Sequence, residues 1–148
     1  MQTNSIYIAY QDDRFLNFLS SINSSSKNHE YQFLGSTSNG LEALGYILTH
    51  RPEMVILENN LTHLTSIDII RILIRKELKI KCIVIFSSLE EALSQESYFK
   101  HISGIILHTT NEAMFRKCLN EVSAGNTFIH PRIRLEKPST RGGIRGTT

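Results

Sequence analysis

Five short apolar runs, each followed by apolar residues at helical spacing, constrain the fold of this chain more than any other feature. The first run, Ile6-Tyr7-Ile8-Ala9-Tyr10, is closed by Gln11-Asp12-Asp13, and Phe15, Phe18, Leu19 and Ile22 then share one helical stripe. Residues 31–34 form the second run, with Leu41, Leu44, Ile47 and Leu48 behind it and Pro52 as a helix breaker. Residues 54–57 form the third, followed by Ile67, Ile70 and Ile74; residues 82–86 form the fourth, followed by a less regular helix from about residue 90 to 100. The fifth is Ile105-Ile106-Leu107. After it, Asn111 caps a helix that turns Phe115, Cys118, Leu119 and Val122 inward and stops at Gly125. Unbroken apolar runs predict strands buried on both faces. Strict strand–helix alternation predicts an α/β domain with a parallel sheet and right-handed crossovers.

In such a sheet, functional groups gather where the strands end at their carboxyl side. That rule selects Asp12 and Asp13 after the first strand, Glu58 after the third, Ser87 and Ser88 after the fourth, and His108 after the fifth. Each has a plain reading by itself: Asp13 caps a helix, Ser87 opens a turn, His108 is half exposed. Converging on one edge, they predict a site.

The charge pattern divides the chain of 148 residues unevenly. Residues 132–148 carry five basic residues against Glu136 alone, whereas the preceding part has eleven basic and thirteen acidic residues. A basic, Gly/Ser/Thr-rich tail without apolar patterning predicts a solvated, flexible end. It has no aromatic residue and no recognisable motif, so only weak, salt-sensitive contacts with nucleic acid would follow. Cys82 and Cys118 lie far apart among apolar neighbours and read as reduced core residues. No apolar run approaches the ~20 residues of a membrane span, and no signal peptide opens the chain, so a cytoplasmic protein without membrane partners is expected.

Three stretches carry a family resemblance. Gln11-Asp12-Asp13, Pro52-Glu53-Met54-Val55-Ile56-Leu57-Glu58 and Ser103-Gly104-Ile105-Ile106-Leu107-His108 resemble the CheY-like receiver domains of bacterial two-component response regulators. The ending Glu121-Val122-Ser123-Ala124-Gly125-Asn126-Thr127-Phe128-Ile129 is similar to the receiver end of the NarL/FixJ (LuxR-type) subgroup. The resemblance implies a flavodoxin-like, doubly wound parallel sheet of five strands in the order 2-1-3-4-5, with helices on both faces. It implies a receiver-like domain over residues 1–130 and a basic tail over 131–148, with no DNA-binding domain present.

Position by position, the resemblance places the phosphoacceptor on Glu58, where the family has aspartate. It implies a weak Mg²⁺ site at Asp12, Asp13, Glu58 and the Asn60 carbonyl, although no cofactor is required. The phosphate-sensing hydroxyl falls on Ser87 or Ser88, the switching aromatic on Ile105, and the family's lysine on His108. Glutamate is longer than aspartate by one bond of roughly 1.5 Å. Mg²⁺ wants near-octahedral oxygens at about 2.0–2.1 Å, and a misplacement of ~1 Å can cost a reaction on the order of a hundredfold. Histidine also lacks the reach and permanent charge of lysine. The expected function is therefore an atypical response-regulator receiver outside the ordinary phosphorylation cycle, acting through protein contacts. Expected partners are a histidine kinase or another signalling protein, and a second copy in a homodimer. DNA would be reached only through a domain absent from this chain. The alternatives are the receiver part of a truncated LuxR-type transcription regulator and, remotely, a small α/β enzyme using these carboxylates with His108. No nucleophile elbow, phosphate loop or metalloprotease helix supports the last, so no enzymatic activity is expected.

Overall fold

The computed structural model describes residues 4–11, 13–25 and 31–136. In chain order the elements are β1 (Asn4–Ala9), α1 (Arg14–Ser25), β2 (Tyr31–Thr37), α2 (Gly40–His50), β3 (Met54–Glu58) and α3 (Ser66–Arg75). They continue as β4 (Lys81–Phe86), α4 (Leu89–Ser94), a 3-10 turn (Glu96–His101), β5 (Gly104–Leu107), α5 (Glu112–Ser123), β6 (Phe128–Ile129) and α6 (Pro131–Glu136).

Alternation along the strands divides the apolar runs between two cores. Ile6, Ile8, Met54, Ile56, Ile83, Ile85 and Ile106 face α1 and α5, where Phe15, Leu19, Phe115, Cys118 and Leu119 cover them. Tyr7, Ala9, Val55, Leu57, Val84, Phe86, Ile105 and Leu107 face the opposite layer, which supplies Ala43, Ile47, Ile69, Ile70, Leu73 and Ala92. Both thiols are free and buried, and burial pushes each up to about 12.

The sheet has six strands, all parallel, in the order β2-β1-β3-β4-β5-β6. The expectation of a five-stranded flavodoxin-like sheet is thereby corrected. The additional strand pairs Phe128 with Gly104 and Ile129 with Ile105. Phe128 N–H donates to the Ser103 carbonyl at 2.9 Å and His130 N–H to the Ile105 carbonyl at 2.8 Å. These bonds satisfy an edge that β5 would otherwise leave open. Gly125, in the left-handed region at φ 92°, turns the chain from α5 into this strand.

The six residues after His130, expected as the start of a tail, form α6 instead, and Ile133 is fully buried against the α2–α4 layer. The remainder of that tail, from residue 137, lies outside the described residues. Two helices also differ in detail from their spacing. The buried residues of α2 are Gly40, Ala43 and Ile47, which leaves Leu41 56% exposed. The fourth helical segment breaks at Gln95 into α4 and the 3-10 turn.

One contact outside the sheet positions the loop after β3. Asn39 caps α2, accepting from Leu41 N–H at 2.9 Å and Glu42 N–H at 3.1 Å. The next residue, Gly40, donates its N–H to the Thr62 carbonyl at 2.7 Å. Thus the first turn of α2 holds the middle of the β3–α3 loop. Among the described residues, no helix is long and apolar enough to cross a membrane.

Candidate functional site

The ends of β3, β4 and β5 lie side by side because their ladders run to the last residue. Glu58 is in register with Ile85, Asn59 N–H donates to the Ile85 carbonyl at 2.9 Å, and His108 N–H donates to the Phe86 carbonyl at 2.9 Å. Glu58, half-buried at the end of β3, accepts the Gln11 N–H on Oε1 at 3.0 Å. The Gln11 side-chain amide reaches on to the Asn60 carbonyl at 3.4 Å. The chain after β1 is thus tied to Glu58 and to the residue two places beyond it.

Of the acidic pair, Asp12 lies outside the described residues, and Asp13 is an exposed residue whose carbonyl accepts Asn17 N–H at 2.8 Å as α1 begins. Among the described residues, no group of three or more His, Cys, Asp or Glu side chains is placed to hold a metal ion. The Glu58 Oε1 and the Asn60 carbonyl oxygen, two of the expected Mg²⁺ ligands, both accept hydrogen bonds from Gln11.

His108 is exposed, and its carbonyl accepts from the Arg14 guanidinium, which also reaches the Thr109 carbonyl at 3.4 Å. Arg14 in turn stands over Phe15 and Phe18, with 5.4 Å and 5.0 Å to the ring centroids. The start of α1 therefore fastens the β5–α5 loop. Ile105 is 1% exposed and pairs with Val84 on one side and Ile129 on the other, so it is a core residue.

The two serines separate by role. Ser88 is the N-cap of α4, its hydroxyl accepting Glu91 N–H at 3.0 Å. Ser87 donates both its N–H, at 2.7 Å, and its hydroxyl, at 3.0 Å, to Glu91 Oε1. The other oxygen, Oε2, accepts from Asn60 Nδ2 at 2.5 Å. Glu91 is the group that sequence reasoning missed, although Ser88 and Glu91 stand at the spacing of a capping box. Burial works to raise its pKa, but hydrogen bonds from the Ser87 backbone, the Asn60 and Ser87 side chains and Asn59 outweigh it and hold the carboxyl below its ordinary value.

The fold is one shared with solved structures of response-regulator receiver domains. A LuxR-family two-component response regulator from Aurantimonas sp. SI85-9A1 superposes with a TM-score of 0.75 at 13% identity, covering 92% of this chain and 95% of that one. The isolated receiver domain of RcsB from Salmonella enterica serovar Typhimurium, with the phosphomimetic BeF3−, gives 0.75 at 13% identity, covering 90% and 98%. A LuxR-family DNA-binding response regulator from Staphylococcus aureus gives 0.68 at 21% identity, covering 80% and 98%. At these identities the likeness is one of fold. No family model and no curated protein matches the sequence.

Proposed function

We propose that this chain is a receiver-type module of two-component signalling that works outside the ordinary phosphorylation cycle, through protein–protein contacts and without catalysis of its own. One observation carries the reading: Glu58, to which the family resemblance assigns the phosphoacceptor, stands at the carboxyl end of β3, and its Oε1 accepts the backbone N–H of Gln11. A carboxylate one methylene longer, accepting an amide of the neighbouring loop, is poorly placed for in-line attack on a phosphoryl donor. Position 108 also holds histidine, which lacks the reach and permanent charge of the family's lysine. On this reading the chain works in the cytoplasm, receives its input from a histidine kinase or another signalling protein and acts as a homodimer. Mg²⁺ is not required.

A second reading keeps the domain and changes its output. RcsB from Salmonella enterica serovar Typhimurium bound to a promoter has this fold over part of its length, and the chain spans 66% of it. A receiver of this kind serving an attached DNA-binding domain remains consistent with that coverage. Beryllofluoride with Mg²⁺ tests the shared premise by amide NMR. The wild type is expected to leave Ser87 and His108 unshifted, while Glu58→Asp shifts both. A wild type that responds like Glu58→Asp would refute the proposal.

A further inference from the structure

Glu91 does more than fill the first turn of α4. Its carboxylate joins two loops that are far apart in sequence: Asn60 after β3, and Ser87 after β4. A serine hydroxyl has one proton to donate. With that proton on Glu91 Oε1, Ser87 has none left for Glu58 or for anything attached to Glu58. The Asn60 amide is likewise turned towards Oε2. Asn59 strengthens the arrangement. It is 6% exposed, its Oδ1 accepts the hydroxyl of the fully buried Ser66 at 2.7 Å, and its side chain also bonds Glu91. With Oδ1 taken by Ser66, the NH₂ end of Asn59 is the part left to donate to Glu91.

We propose that Glu91 is an intramolecular latch: it competes with Glu58 for the Ser87 hydroxyl and, while engaged, fixes α4 to the loop that follows Glu58. This rests on the receiver reading, which makes Ser87 the sensing hydroxyl, and it names how that site is regulated. Two carboxylates and one hydroxyl proton form an element with two discrete arrangements. In the latched arrangement, Ser87 and Asn60 serve α4. When Glu91 withdraws, with a shift of α4 under a bound partner, Ser87 turns to Glu58. Position of the α4 surface and hydrogen bonding at Glu58 are then two readings of one equilibrium.

Without a latch, Glu91 reaches Gln11 only through Asn60, whose carbonyl accepts the Gln11 side chain, so the decisive readout is whether a Gln11 shift depends on Glu58. Gln11 N–H bonds Glu58, and Glu91 has no bond to it among those described. Amide NMR is recorded on the wild type, Glu91→Ala, Glu58→Gln and the double variant. Amide exchange at Ser87 should speed up on the order of tenfold in Glu91→Ala, as expected for loss of a charge-assisted hydrogen bond. The Gln11 amide should shift in Glu91→Ala, and that shift should vanish when Glu58→Gln is already present. Should Glu91→Ala fail to fold, Glu91→Asp keeps the charge at the start of α4 while falling short of Asn60, and the same Gln11 shift is expected. A Gln11 amide that stays put, or one that shifts equally with Glu58→Gln already present, would leave Glu91 a local tie between the Ser87 and Asn60 loops and overturn the latch. Phosphorylation of the wild type would end the functional reading separately, leaving the Gln11 result to stand or fall alone.

Discussion

Alanine in place of Gly40 and of Gly45 adds the same methyl group to the same helix, with opposite results. A Cβ on Gly40 would lie 2.2 Å from the Leu64 carbonyl oxygen and 2.9 Å from both Leu64 C and Leu64 Cβ. Ordinary contact begins near 3.4 Å, so the β3–α3 loop must retreat by more than 1 Å. That movement strains the 2.7 Å bond from Gly40 N–H to the Thr62 carbonyl. Overpacking of this kind costs about 1–3 kcal/mol. Alanine recovers about 0.5–1 kcal/mol over glycine within a helix, and the weakened hydrogen bond adds about 1 kcal/mol to the loss. The net effect of Gly40→Ala is a destabilisation of about 2 kcal/mol, or roughly 4–8 °C in Tm for a chain of this size. Gly45 has nothing within 4 Å of the added Cβ, so Gly45→Ala keeps only the helical gain, about 0.5–1 kcal/mol, and raises Tm by roughly 1–4 °C. Thermal unfolding followed by circular dichroism measures both. Shifts of the same sign would refute the claimed contact between α2 and the loop that carries Asn60.

Two further outcomes concern the end of the fold. Ile133 is fully buried, so Ile133→Ala should destabilise by about 2–4 kcal/mol in chemical denaturation; a change within about 0.5 kcal/mol would mean that α6 is not docked. His130 Nδ1 accepts Arg132 N–H at 3.1 Å, and its pKa is held low by burial first and then by the Arg132 charge. The neutral ring is thus the folded form. Its stabilising contribution is present above the unfolded value of about 6.5 and is lost as pH falls through the lower folded value. Histidine NMR should show His130 titrating below about 6.5, with amide exchange at Ile133 and Arg134 speeding up on acidification. A His130 that titrates at or above that value contradicts the account.

The parts of the fold that the sequence made legible are those driven by burial. Residues 54–57 and 82–86 could hardly be anything but strands covered on both sides, and they form β3 and β4. What escaped was decided by geometry rather than by hydrophobicity. Phe128 and Ile129 are too short a run to announce a strand, and β6 exists because the edge of β5 leaves backbone groups open for pairing. Ile133 looks like an isolated apolar residue in a basic stretch until α6 folds it under the α2–α4 layer. Leu41 sits at a plausible helical spacing, yet small Gly40 and Ala43 bring α2 close along a different stripe. At the site, the strand-end rule selected Glu58, Ser87 and His108, and the ladders bring their strand ends together. It passed over Gln11 and Glu91, because a backbone amide carries no sequence signal and the glutamate lies inside a helix, outside the strand ends.

The central claim is that the scaffold is a receiver and that Glu58 is what takes it out of the phosphorylation cycle. Intact mass after incubation with acetyl phosphate and Mg²⁺ tests it, with the wild type beside a Glu58→Asp, His108→Lys variant. The account predicts that the wild type keeps its mass while the variant gains a phosphoryl group. A wild type that gains the group itself, with the modification mapping to Glu58, would contradict it.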